Sequence, residues 1–184
     1  MSHYFFALSL SNDLKGKLQD VSKEMRVNLA FKNWVHPKDY HITLAFLGQA
    51  NEEQLHEACK LSENALASIF TFSFELSKVG VFGLPKTPRI LWMGTKESNP
   101  LDEVQKRVSL ACTQAKFKLD ERPFIPHITL ARKWIGSDDF TLENTVLKKD
   151  LFNIEYEASE VALFRTHPHN TPKYEKVKSF KFLP

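Results

Sequence analysis

The clearest alternation of apolar and polar residues lies at Phe70, Phe72, Phe74 and Leu76, which are separated by Thr71, Ser73, Glu75 and Ser77. A period of two puts the four apolar side chains on one face, so the pattern predicts a half-buried strand. Upstream, the compact apolar run Tyr4 to Leu10 reads as a strand, and Ser11-Asn12-Asp13 offers caps for a helix from about Asp13 to Leu29. Trp34 to Asp39 contains Pro37 and reads as a connector, and Tyr40 to Leu47 as a strand that Gly48 should end. Asn51 then caps a second helix to about Ser68, with Leu55, Ala58, Cys59, Ser62, Leu66 and Ile69 at helical spacing.

Further along, "FGLPKTPR" predicts a turn or longer hairpin loop leading into a strand from Ile90 to Met93. Ser98, Asn99 and Pro100 open a third helix to about Phe117, a cap followed by a proline that suits the first turn. A strand from His127, a short helix after "GSDDF" and two strands, about Phe152 to Arg165 and Tyr174 to Phe182, complete the chain. Strands and helices interleave but are joined partly by hairpins, which predicts an α+β fold with antiparallel pairing. No Pro/Ser-rich linker divides the 184 residues, so a single domain over residues 1–184 is expected.

Composition narrows the classes of function. A net charge of +3 permits a nucleic-acid end or a small phosphorylated ligand, but lacks the dense Lys/Arg clusters that tracking a duplex would need. Cys59 and Cys112 are the only cysteines, in helical segments without CxxC spacing, so they read as reduced, packed thiols rather than a disulfide or zinc site. The N-terminus lacks a basic segment followed by a long apolar run, and no apolar stretch reaches membrane-spanning length. A cytoplasmic location with no membrane partner is therefore expected.

The chemistry lies in a repeat. "HITLA" occurs at His41 and again at His127, 86 positions later. On a regular strand, residues i and i+2 share a face, so His41, Thr43 and Ala45 point one way and Ile42, Leu44 and Phe46 the other. His127 and Thr129 repeat the arrangement. One such strand is as readily an ordinary half-buried strand, but two copies in corresponding places point to paired function. Two imidazoles suit a reaction that must both remove and deliver a proton near neutral pH. On opposite sides of a cleft they allow in-line attack on a phosphorus without a metal, with the Thr43 and Thr129 hydroxyls holding the non-bridging oxygens. Arg132 ends the second copy and its guanidinium suits a phosphate. Strict alternation puts it on the core side, and it reaches the cleft only if the strand bends, bulges or ends there.

The segments "NWVHPKDYHITLAFLG", "VGVFGLPKTPRILWMG", "RPFIPHITLARKW" and "VALFRT", in this order, resemble the bacterial RNA 2′,3′-cyclic phosphodiesterases, also called 2′-5′ RNA ligases, of the two-histidine (2H) phosphoesterase superfamily. The resemblance implies two pseudo-symmetric lobes, each an antiparallel sheet with helices outside, flanking a central cleft. It implies hydrolysis of a terminal RNA 2′,3′-cyclic phosphate to a 2′-phosphomonoester, with no cofactor and no metal, and the reverse 2′-5′ ligation as a side activity. It assigns His41 as proton donor and His127 as proton acceptor, with Thr43 and Thr129 on the phosphate. Partners would be RNA ends bearing the cyclic phosphate or related small nucleotides, bound by a monomer. A small-nucleotide phosphodiesterase and a binding module without turnover are the rival readings. Thr166 stands where the family often has serine.

Other residues carry weaker signals. His167 and His169 form an HxH in a proline-containing loop, better read as solvated than as metal ligands. His36 and His56 read as surface residues. Phe5 or Phe6, Phe46 and Phe164 offer faces for an RNA base, although packing is the commoner fate of each, as for Trp34 and Trp92. Arg89, Arg165, Lys173 and Lys86 read as a positive rim or as plain solvated charge.

Overall fold

The structure is a computed structural model and describes residues 2–142 and 151–184. In chain order its elements are β1 (His3–Ser9), α1 (Asn12–Asn28), β2 (Phe31–Trp34), a 3-10 turn (Pro37–Asp39), β3 (His41–Gln49), α2 (Glu52–Leu66), β4 (Phe72–Leu84) and β5 (Thr87–Thr95). There follow α3 (Asn99–Gln114), β6 (His127–Trp134), β7 (Glu155–Ala158), β8 (Glu160–Thr166) and β9 (Tyr174–Lys181). Helix starts follow the caps legible in the sequence. The side chains of Ser11, Asn51 and Ser98 accept hydrogen bonds from the Leu14, Gln54 and Leu101 amides at 3.2, 2.8 and 3.4 Å. The short helix expected after "GSDDF" falls mainly on residues 143–150, outside the described residues.

The strands form one nine-stranded sheet in the order β7-β4-β5-β6-β3-β1-β8-β9, with β2 beside β6. All pairings between these strands are antiparallel. The fold is thus α+β with two pseudo-symmetric lobes, β6-β5-β4-β7 and β3-β1-β8-β9. Between the two, β3 and β6 are paired through Ile42 opposite Ile128. One face carries the main core, in which both isoleucines pack with Leu14 and Leu18 of α1, Ala58 and Leu66 of α2, and helix α3. The opposite face carries a separate small cluster of Phe5, Ala7, Ala162 and Phe164, with Tyr174 against it.

Four details depart from the sequence reading. β2 was hidden because its two central residues, Lys32 and Asn33, are exposed and polar. The apolar run from Phe152 to Arg165 is not one strand: β7 pairs with β4 in one lobe, whereas β8 pairs with β1 in the other, so the chain changes lobes at Ser159. "FGLPKTPR" is mostly strand, with β4 and β5 closing around a turn at Pro85-Lys86. Gly48 does not end β3; its φ of +67° lets the strand bend and run to Gln49. Among the described residues, no helix is long and apolar enough to cross a membrane.

Candidate active site

Antiparallel register about the Ile42–Ile128 pair sets His41 across from Thr129 and Thr43 across from His127. The two imidazoles then lie on a diagonal, about 7–8 Å between backbones in an undistorted ladder. They are within electrostatic reach, since charge on His127 lowers the affinity of His41 for a proton. The two HITLA strands therefore meet at the seam of the lobes.

Both rings are oriented by the same device. His41 Nδ1 lies 2.7 Å from the Asp39 carbonyl oxygen, and His127 Nδ1 lies 2.7 Å from that of Ile125, in each case two residues upstream. A carbonyl only accepts, so each Nδ1 carries the hydrogen and each neutral ring keeps its lone pair on Nε2. Thr43 Oγ1 sits 3.1 Å from His41 Nε2 and donates to it when the ring is neutral. Among the described residues no hydrogen bond is made to His127 Nε2.

The environments differ more than the sequences do. His41 is packed against Phe5 at 4.8 Å and Tyr174 at 5.2 Å between ring centroids, with Phe164 at 6.0 Å. Burial pushes its pKa down to about 4, opposed by the Asp39 carbonyl and reinforced by Arg132 and Lys15. His127 meets Phe82 edge-on at 4.9 Å and Trp92 at 6.1 Å. Burial lowers its pKa as well, opposed by the Ile125 carbonyl and reinforced by Arg132. Trp92 lies flat over Gly80, where a Cβ would stand 2.3 Å from the indole. The pseudo-equivalent positions beside Thr43 hold Ala7 and Ala162.

A matched pair of bulges corrects the alternation expected of HITLA. Along β1, the partners of Phe6 and Ala7 are Ala45 and Thr43, so Leu44 is an extra residue; along β5, the partners of Leu91 and Trp92 are Ala131 and Thr129, so Leu130 is extra. Each bulge flips the side-chain parity beyond it. Ala45 and Ala131 therefore turn into the core with Leu44 and Leu130, all at most 5 % exposed. Phe46, expected in the core, instead lies on the histidine face and is 54 % exposed. Arg132 is exposed on the same face. Lys133 follows with φ +63°, which marks the irregularity of the strand end. Strict alternation failed because the repeat itself contains the bulge.

Arg132 has neighbours that the sequence did not single out. Its guanidinium lies close to the Tyr174 hydroxyl, whose proton affinity burial raises and the arginine charge lowers. Tyr174 is anchored in turn by Asp39, a buried carboxylate that accepts from the Lys173 amide at 2.9 Å and the Tyr174 amide at 3.1 Å. Asp39 thus orients His41 through its carbonyl and the Tyr174 segment through its side chain. Its only sequence signal was a position two before the histidine. Replacing Asp39 with alanine takes the acceptor from two part-buried amides, at up to about 1 kcal/mol each. Denaturant unfolding is expected to show that loss of stability, together with a fall in kcat as Tyr174 and Arg132 lose their support.

The remaining candidates are more peripheral. Phe6 is core, whereas Phe5 and Phe164 are buried beneath His41. His167 Nε2 pairs with Glu175 at 2.7 Å across the β8–β9 hairpin. Cys59 and Cys112 are free thiols, and burial drives the latter up to about 12. Among the described residues, no three His, Cys, Asp or Glu side chains converge to hold a metal ion.

Residues 15–170 match the 2′-5′ RNA ligase superfamily. The chain belongs to this superfamily. Its relatives within the superfamily include the RNA 2′,3′-cyclic phosphodiesterase of Bacillus subtilis, 36 % identical over 98 % of this chain and 95 % of that protein. The enzyme of the same name from Geobacillus stearothermophilus is 39 % identical over 99 % of this chain, which spans only 58 % of that protein's length. Solved structures share the fold. Escherichia coli LigT superposes with a TM-score of 0.79 at 20 % identity, covering 100 % of this chain and 98 % of LigT. TT0787 of Thermus thermophilus also gives 0.79, at 24 % identity over 98 % and 97 % of the two chains.

Proposed function

We propose that this chain is an RNA 2′,3′-cyclic phosphodiesterase that opens a terminal cyclic phosphate to a 2′-phosphomonoester by histidine–histidine acid–base catalysis. The carrying observation is the pair of His–Thr strands meeting at Ile42–Ile128, each imidazole tied through Nδ1 so that Nε2 is left for chemistry. The names of the relatives at 36–39 % identity support the same substrate class.

In this mechanism His127 Nε2 takes a proton from water as the water oxygen bonds to phosphorus. The bond from phosphorus to O3′ breaks, and protonated His41 delivers the Nε2 proton to the departing oxygen. The product is a 2′-phosphate with a free 3′ hydroxyl, and the proton gained by His127 returns to solvent as His41 is recharged. Thr43, Thr129 and Arg132 hold the non-bridging oxygens, where negative charge concentrates in the transition state. Phe46, exposed on the same face, offers a ring to the terminal base. With a 5′ hydroxyl in place of water as the nucleophile, the same groups would join the cyclic phosphate to it, breaking the same bond to O3′ and leaving a 2′-5′ linkage. The chain works in this proposal as one two-lobed, monomeric unit in the cytoplasm.

The test is an RNA oligonucleotide ending in a 2′,3′-cyclic phosphate, incubated in EDTA with product position determined. Conversion to the 2′-phosphate is expected; tight binding without product would support the binding module, and turnover of small cyclic nucleotides alone would support the small-nucleotide enzyme.

The depressed histidines give this reaction a definite pH dependence. In free protein above pH 6.5 both rings are neutral, yet catalysis needs one proton on His41. The competent fraction then falls about tenfold per pH unit, so kcat/KM should drop by roughly that factor between pH 7 and 8. Bound phosphate stabilises imidazolium, so the same limb in kcat should lie at higher pH. A kcat/KM that rises across this range would contradict the assignment.

A further inference from the structure

A cavity of about 100 Å³ opens beside the histidine face, between the end of β2, the Pro37–Asp39 turn and the β8–β9 hairpin. It has room for about three waters at ~30 Å³ each, which suits an anion of phosphate size and is small for a nucleobase. Its polar lining residues are mainly ones that donate. Arg132, Lys173 and Asn33 line it, residues whose side chains carry a guanidinium, an ammonium and an amide. His36 adds another, because its Nδ1 accepts from the Lys38 amide at 3.2 Å, which leaves the hydrogen of the neutral ring on Nε2. The one acid in the lining, Asp39, is already occupied by the Lys173 and Tyr174 amides.

Position makes the chemistry specific. Asn33 lies directly across from Arg132 in the β2–β6 pairing, so both belong to the sheet face that carries His127 and Thr129. Arg132 is therefore shared between the histidine pair and this cavity. An RNA end presents two neighbouring phosphates: the terminal cyclic one and the phosphodiester on the 5′ side of the same nucleotide. We infer that the cavity is a subsite for that 5′ phosphate, so that the protein prefers a 5′-phosphorylated terminal nucleotide to a bare nucleoside cyclic phosphate. This rests on the proposed function, because it needs the cyclic phosphate seated between His41 and His127.

The experiment is calorimetric titration of the protein with adenosine 2′,5′-bisphosphate and with adenosine 2′-monophosphate, the products expected from the two substrates. The bisphosphate is expected to bind about tenfold more tightly, a step of about 1.4 kcal/mol. Lys173→Ala combined with Asn33→Ala should reduce that ratio to about two while leaving the monophosphate affinity in place, which also reports that the variant is folded. Lys173→Gln alone should give an intermediate ratio. Equal affinities in the wild type, or a tenfold preference that survives in the double variant, would overturn the subsite alone. Failure of both ligands to bind would overturn the subsite and the proposed function together.

Discussion

Replacing either His41 or His127 with alanine is expected to lower kcat on a cyclic-phosphate RNA end by roughly 10²–10⁴-fold, the usual range for a positioned acid or base. This corresponds to about 2.7–5.5 kcal/mol of lost transition-state stabilisation. The two losses should not add. A base without its acid partner forms a strained phosphorane whose leaving oxygen cannot depart, and an acid without its base has no nucleophile to assist. The double variant should fall within about tenfold of the worse single one, because groups acting as a unit fail together. Folding should survive both changes, since each histidine lies on the cleft face and the buried seam is formed by Ile42 and Ile128. Circular dichroism would check that, and independent, multiplicative losses would argue that the histidines serve separate steps.

The second large effect is expected at Arg132. In the proposed mechanism Arg132→Ala removes a donor to the phosphate and should cost about 10²–10³-fold in kcat. Arg132→Lys is the more informative change. It keeps the charge but loses the planar fork that can hold the Tyr174 hydroxyl and a phosphate oxygen together. Recovery should therefore be partial, about tenfold over alanine, with Tyr174→Phe reproducing a smaller part of the same loss. Full rescue by lysine would mean that Arg132 supplies only electrostatic attraction.

The alternation at Phe72–Leu76, the three caps and the doubled HITLA were legible because each is a local signal, decided within a few residues, whereas Phe70, expected on the same buried face, precedes β4 and is 63 % exposed. The bulges were not. Leu44 and Leu130 look like ordinary core residues of regular strands, and only pairing with β1 and β5 shows them to be extra. That one step moves Phe46 and Arg132 to the cleft face, so the repeat breaks its own symmetry at the fifth position after each histidine. Asp39 and Tyr174 escaped notice for another reason: they lie 135 residues apart, and their link is a side chain accepting a backbone amide. The crossing at Ser159 was invisible because β7 and β8 form one continuous run while their partners lie in different lobes.

In the proposed reaction His41 protonates the departing oxygen while His127 activates water. A 3′-deoxynucleoside 2′-(4-nitrophenyl phosphate) tests it directly, because nitrophenolate takes the place of the 3′ oxygen and leaves without a proton, while still yielding a 2′-phosphate. With this substrate the His41→Ala variant is expected to return to within about tenfold of the wild-type kcat, while His127→Ala stays depressed by the 10²-fold or more expected for a missing base. Rescue of His127→Ala instead, or of neither variant, would contradict the assignment.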